Sequence, residues 1–247
     1  MKRYGMESVM KYTFDSIVRY TETGTNGVLT IPGTINYFQD CSTFQSEELG
    51  VGVAHLREKG RVWMLNSWHV EFIKPVVMGT RIRVATWAYK FDHVFGYRNF
   101  TMEDETGTIC AKADAKWVLY DLKKQALTRI GEEDTVAYDC GGEPPISMDY
   151  PACKLRKPKE AAEAGQFVVP YFFLDTNRHM NNEKYIELAT DYIPADRTYK
   201  TVDVLYKNQS VRGDVIRILR SEDTDSVTIT MMGETEQVIH AILRFAW

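Results

Sequence analysis

Asp175, Asn177 and His179 stand at alternate positions in the segment Asp175-Thr-Asn-Arg-His-Met-Asn-Asn182, just ahead of a stretch that reads as a helix to Asp191. In an extended chain, alternate side chains point the same way, so an acid, an amide and an imidazole would converge on one spot. Such a set can activate water. The imidazole titrates near neutrality and can take a proton, the carboxylate can orient or charge-stabilise it, and the amide can hold a water or a carbonyl oxygen. Backbone N–H groups at the start of the following helix would add donors for a developing oxyanion. The same residue types are common in turns and helix caps, so the spacing alone leaves a turn and an active site both open.

Other candidate nucleophiles and ligands are weaker. Cys41, Cys110, Cys140 and Cys153 form no CxxC pair or other metal-like spacing, and reduced thiols are the simplest reading. Cys41 falls on the apolar face of a helix pattern, which suits core packing. His55, His93 and His240 lack motif context, and His69, in an alternating strand, reads as a surface or cross-strand residue. No metal or organic cofactor is implied.

The 247 residues carry a net charge of −4 and are 44% hydrophobic, enough for a sizeable core and no basis for nucleic-acid binding through a basic surface. The polar start Met1-Lys-Arg-Tyr-Gly-Met-Glu7 lacks a signal-peptide core, and no apolar run approaches the roughly 20 residues of a membrane span. A cytoplasmic protein is expected.

The elements that must position the motif follow from periodicity. Residues 8–32 read as two short strands around a polar turn, with Pro32-Gly33 ending them. Ile35, Phe38, Cys41, Phe44 and Leu49 then fall at helical spacing, with Thr34 as a possible cap. Residues 61–120 read as long antiparallel strands, among them Ala111-Lys-Ala-Asp-Ala-Lys116, small on one face and charged on the other. Residues 121–165, with their Gly-Gly and Pro-Pro pairs and the basic cluster Lys154–Lys159, read as a connection with Glu160–Ala164 helical. A strand, the motif, a helix and further strands complete the chain.

The two halves repeat. Phe72–Val84 aligns without gaps to Tyr206–Ile218 at an offset of 134 residues, with Gly79 on Gly213 and Ile82 and Val84 on Ile216 and Ile218. A helix followed by antiparallel strands, twice over, predicts an α+β tandem (double) hotdog fold, in which each half is a long helix wrapped by a curved antiparallel sheet. The expected division is residues 1–128 as the N-terminal hotdog, 129–165 as linker and 166–247 as the C-terminal hotdog carrying the motif. Joining the two sheets edge to edge would remove an exposed edge and create an interface suited to a pocket.

Leu174-Asp-Thr-Asn-Arg-His-Met-Asn-Asn-Glu-Lys-Tyr185 resembles the D-x-N-x-H-x-N-N-x-x-Y signature of the plant and bacterial acyl-ACP thioesterases, and the likeness runs from about Tyr12 to Trp247. It implies two hotdogs in one chain, an acyl-chain pocket in the first half, and catalytic roles for Asp175, Asn177 and His179. Phe38, Trp63, Met64, Trp68 and Trp87 are either core or pocket lining. The family's Y-R-R-E-C-like string falls on Tyr206-Lys-Asn-Gln-Ser210, so Gln209 replaces the family Glu and Ser210 the Cys. Gln cannot act as a base and Ser210 is a weak nucleophile without a strong partner, which argues against a covalent route.

The resemblance therefore implies hydrolysis of fatty acyl-ACP to free fatty acid and carrier, in fatty acid biosynthesis, by water that Asn177 and Gln209 position and His179 or Asp175 deprotonates. The implied partner is acyl carrier protein with its acyl-phosphopantetheine group. As the carrier is acidic, Lys154, Arg156, Lys157, Lys159, Lys207 and Arg212 are candidate docking residues. An acyl-CoA thioesterase and a non-catalytic acyl-binding hotdog protein are the alternatives. One chain already supplies the minimal hotdog pair, and a homodimer is a further option.

Overall fold

In the computed structural model, residues 11–138, 140, 142–235 and 237–247 are described; the polar N-terminal start, the beginning of the 8–32 segment and Gly141 lie outside the described residues. Alternation along the long strands gives one sheet with two distinct faces. The first half comprises β1 (Tyr12–Ile17), α1 (Ile31–Glu48), α2 (Val53–Glu58), β2 (Arg61–Phe72), β3 (Arg81–Asp92), β4 (Phe95–Asp104), β5 (Ile109–Asp121) and β6 (Ala126–Leu127). After α3 (Glu132–Thr135) come β7 (Ala162–Val168), α4 (Asn182–Thr190), β8 (Thr201–Tyr206), β9 (Val215–Glu222), β10 (Ser226–Met232) and β11 (Ile239–Ala246). The strands are antiparallel neighbours in the order β1-β3-β4-β5-β2-β8-β11-β10-β9-β7, with β6 on β5. This is the double hotdog arrangement: α1 and α4 lie against the inner face, and the two halves join at β2 and β8.

That join carries the repeat's symmetry. His69 lies opposite Asp203, Trp68 opposite Val204 and Val70 opposite Val202. His69 and Asp203 are 134 residues apart, the offset of the repeat, so a pseudo-two-fold axis passes between them. Gly79 and Gly213, matched by the same offset, both take positive φ (84° and 87°) where a side chain would strain the turn.

Two elements differ from their sequence reading. α1 begins at Ile31, and the Thr30 hydroxyl accepts from Gly33 N at 3.0 Å. Pro32 thus opens the helix instead of ending the preceding segment, since proline lacks only an amide that the first turn leaves unused. Glu160–Ala164 is not helical: Ala162–Val168 pairs with β9 as an edge strand. Sheet pairing overrides the helical preference of its alanines, and Gly165 is needed there because a Cβ would stand 2.6 Å from the Tyr192 hydroxyl.

A bulge between Leu65 and Ser67 resets the alternation of β2. Trp63 and Trp68 therefore both face inward despite their opposite parity. Trp68, Phe38 and Phe100 form the aromatic centre of the first core, with Trp68–Phe100 and Phe38–Phe100 centroids 5.0 and 5.4 Å apart. Ala111, Ala113 and Ala115 of β5 are buried on the same face.

The opposite face is also covered at the join. The connecting segment crosses it as a strap over polar side chains: Trp87 Nε1 donates to Pro144 O (3.0 Å), Lys112 to Ser147 O (2.8 Å), and Asp149 N and Tyr150 N to the Glu71 carboxylate (3.1 and 2.7 Å). His69 is therefore buried, not a surface residue, with Nδ1 2.7 Å from Asp203 Oδ1 and Nε2 3.1 Å from Tyr150 O. The alternation of Ala111–Lys116 puts Lys112 on the face away from the small residues, but it does not reveal what covers that face.

Candidate active site

The motif is a closed turn and not an extended run. Asp175 N donates to His179 O (2.8 Å), Leu174 bridges to Met180, and Arg178 takes φ +66° to close the loop. Asp175 Oδ1 accepts from the amides of Asn177 (2.8 Å) and His179 (3.1 Å). Two amides inside a tight turn need an acceptor, and the carboxylate supplies it. Asp175 thus holds the backbone that carries Asn177 and His179. The His179 Nδ1 atom is buried and has no hydrogen-bond partner among the described residues.

α4 follows at once. The Asn181 side chain caps it by accepting from Glu183 N at 3.0 Å, and Lys184 N bonds to Asn181 O, which leaves the Asn182 N–H without a partner among the described residues. The first half reaches this point too: Gln39 Nε2 on α1 donates to Asn181 Oδ1 at 3.0 Å. Gln39 escaped the sequence reading because nothing in a helix pattern marks one glutamine as crossing to the other half.

The 208–210 loop meets the motif where Met180 N donates to Ser210 O at 2.8 Å. Gln209 itself is exposed and makes no hydrogen bond among the described residues. Ser210 is fully buried, with its hydroxyl 2.9 Å from Tyr185 OH and 2.8 Å from His240 Nδ1. Burial pushes the Tyr185 phenol up to about 12, so it stays a neutral donor. Ser210→Ala is expected to leave kcat within a few-fold and to cost about 1–3 kcal/mol of stability through the unpaired groups left behind; complete inactivation of a folded variant would reinstate a covalent route. The cysteines offer no substitute, since burial pushes the Cys41 thiol up to about 12 and Cys41 donates to Val84 O.

A cavity of about 170 Å³ opens in the first half, and Asn177 of the motif is part of its wall. Trp63, Phe91 and Trp117 supply apolar lining, Arg98 a buried polar wall and Tyr138 a cover from the connecting segment. Arg98 donates to Gln45 Oε1 and to Thr86 Oγ1 (3.3 Å), and its guanidinium lies 5.2 Å from the Tyr138 ring. Arg61 binds Asp134 at 2.5 Å, fixing α3 and so the nearby Tyr138 in the cavity wall. Of the aromatic residues noted in the sequence, Trp63 lines this cavity, while Phe38 and Trp68 are core and Trp87 lies under the strap.

Residues 9–138 match the acyl-ACP thioesterase N-terminal domain and residues 156–243 its C-terminal domain. The chain belongs to the acyl-ACP thioesterase family. Among curated acyl-ACP thioesterases, the chloroplastic oleoyl-acyl carrier protein thioesterase 2 of Arabidopsis thaliana is 22% identical over 94% of this chain and 69% of its own length. The chloroplastic oleoyl-acyl carrier protein thioesterase of Coriandrum sativum is 22% identical over 90% of this chain and 65% of its own. This thioesterase chain therefore spans about two thirds of these plant relatives. Its fold matches the acyl-ACP thioesterase from Bacteroides thetaiotaomicron (TM-score 0.84, 20% identity, covering 96% of this chain and 97% of that one). It also matches the 12:0-ACP thioesterase from Umbellularia californica (TM-score 0.85, 18% identity, the same coverages).

Proposed function

We propose that this chain hydrolyses the thioester of fatty acyl-ACP to a free acid and the carrier thiol. The observation that carries the reading is Asn177, which belongs both to the motif turn and to the wall of the first-half cavity. An acyl chain in that cavity would place its thioester beside His179 and the Asn182 N–H. His179 takes a proton from water, the resulting hydroxide adds to the carbonyl carbon, the oxyanion rests on the Asn182 N–H, and the thiolate leaves with the proton returned by His179. Asn177 holds water or the carbonyl, with Gln209 as a second amide on the loop that meets the motif at Met180 N–Ser210 O. Release of free thiol from purified acyl-ACP tests the reading, and binding without release would replace it with a non-catalytic acyl-binding role.

The surface around the motif favours a carrier protein over a free coenzyme. Tyr171 and Phe172, next to the motif turn, are 73% and 77% exposed. Arg212 lies 5.8 Å over the Tyr171 ring, Arg57 donates to Thr176 O at 3.3 Å, and Arg178 and Lys207 are exposed nearby. An apolar pair rimmed by cations fits an acidic protein partner. The basic stretch 154–159 leaves the strap beyond Cys153, whose N–H donates to Asp203 on the far face of the sheet. Docking therefore centres on Arg212 and the aromatic pair. Phe172→Ser combined with Arg212→Glu is expected to lower kcat/KM on acyl-ACP roughly tenfold or more and to leave the rate on the matching acyl-CoA unchanged. Equal losses on both substrates would rule this patch out.

A further inference from the structure

Two buried polar atoms beside the α4 cap have no partner among the described residues: Gln39 Oε1 and His179 Nδ1. The orientation of the Gln39 amide follows from its neighbour. Asn181 Oδ1 accepts from Glu183 N, so the Gln39 atom that faces it at 3.0 Å must be the donating nitrogen, and the oxygen is the one left over. His179 stands two residues before Asn181, separated from it by Met180, whose N–H is held by Ser210 O; Asn181 is the non-helical cap residue of α4 (φ −57°, ψ 139°). Gln39 thus reaches the cap from α1 two residues beyond His179, at the end of the same turn. One orphan is an obligatory acceptor and the other can be a donor. Left apart, each costs about 1–3 kcal/mol, and one hydrogen bond between them relieves both.

Building on the hydrolytic role proposed for His179, we propose that Gln39 is a positioning residue for the reaction: its Oε1 accepts the Nδ1 proton of His179 when substrate closes the site, which fixes the imidazole with Nε2 free to deprotonate water. A base held by a third group is the usual way an imidazole is kept in the productive tautomer. Here the third group comes from the first hotdog, so the active site is assembled from both halves. Contacts of this kind are often open in the unliganded state and tighten with substrate.

The test is the pH dependence of kcat/KM on acyl-ACP, together with NMR titration of the His179 imidazole in the full chain. Gln39→Met removes the acceptor and should lower kcat at least about tenfold with little change in KM. Gln39→Glu places a carboxylate against the ring and should move the acid limb of the profile, and the His179 titration, upward by about one unit. An unmoved limb and titration in Gln39→Glu, with Gln39→Met lowering only Tm, would assign Gln39 to packing and overturn the proposal. The titration reads the contact without turnover, so absence of thiol release by the unaltered protein would sink the hydrolytic reading while leaving this contact separately decided.

Discussion

His179→Ala is expected to lower kcat on acyl-ACP by about 10²–10⁴-fold, the usual contribution of a positioned general base. KM should change little, because the cavity proposed for the acyl chain and the patch proposed for the carrier both leave out the His179 side chain. Asp175 needs two variants, because its carboxylate does structural work: Oδ1 accepts the amides of Asn177 and His179. Asp175→Asn keeps an acceptor for those amides and removes only the charge, whereas Asp175→Ala opens the turn and misplaces His179. If the charge matters to the chemistry, Asp175→Asn also loses orders of magnitude in turnover. If it serves only the turn, Asp175→Asn keeps most of the activity and Asp175→Ala does not. Near-normal turnover in both His179→Ala and Asp175→Asn, with the fold intact by circular dichroism, would remove the motif from the mechanism.

The distribution of what could be read from the chain has a physical logic. The repeat was legible because strand alternation and a left-handed glycine are local demands, repeated at Gly79 and Gly213. An edge-to-edge join of the two sheets followed from it, since two hotdogs in one chain have edges to pair; that β2 and β8 make it is seen only in the structure. The motif's residues were legible by type, but their conformation was not: Asp175, Asn177 and His179 satisfy a period-two pattern, yet the orphan amides of the turn recruit the carboxylate and bend the chain through Arg178. Long-range polar contacts left no sequence signal at all. Gln39 reaches Asn181 across 142 residues, and the connecting segment supplies both Tyr138 over the cavity and the strap over His69. Composition marked that segment as loop because its prolines and glycines break up long regular elements, which says nothing about the buried donors and acceptors its backbone will meet.

The strap gives the second large effect, on stability. Glu71 is 1% exposed and its carboxylate accepts from Asp149 N and Tyr150 N while lying 3.1 Å from Lys112 Nζ. Glu71→Ala strands a buried ammonium and two strap amides together. Removing one partner of a buried pair costs about 3–5 kcal/mol, and Lys112 retains Asp149 at 2.8 Å, which puts the expectation near 3 kcal/mol by urea unfolding. A cost under about 0.5 kcal/mol, the level of an ordinary surface change, would mean that the strap is not held by this carboxylate. His69 adds a pH dependence of known sign. Burial alone would push its imidazole down, but the Asp203 carboxylate on Nδ1, the Glu71 charge and the Tyr150 carbonyl on Nε2 outweigh it and raise its value. A group raised on folding contributes fully below its unfolded value of about 6.5 and loses that contribution as pH climbs through the raised one. Unfolding free energy should therefore fall as pH rises above about 6.5, and Asp203→Asn should flatten that slope. A slope unchanged in Asp203→Asn would place the pH dependence elsewhere in the chain, because among the described residues no other contact holds the doubly protonated ring at Nδ1.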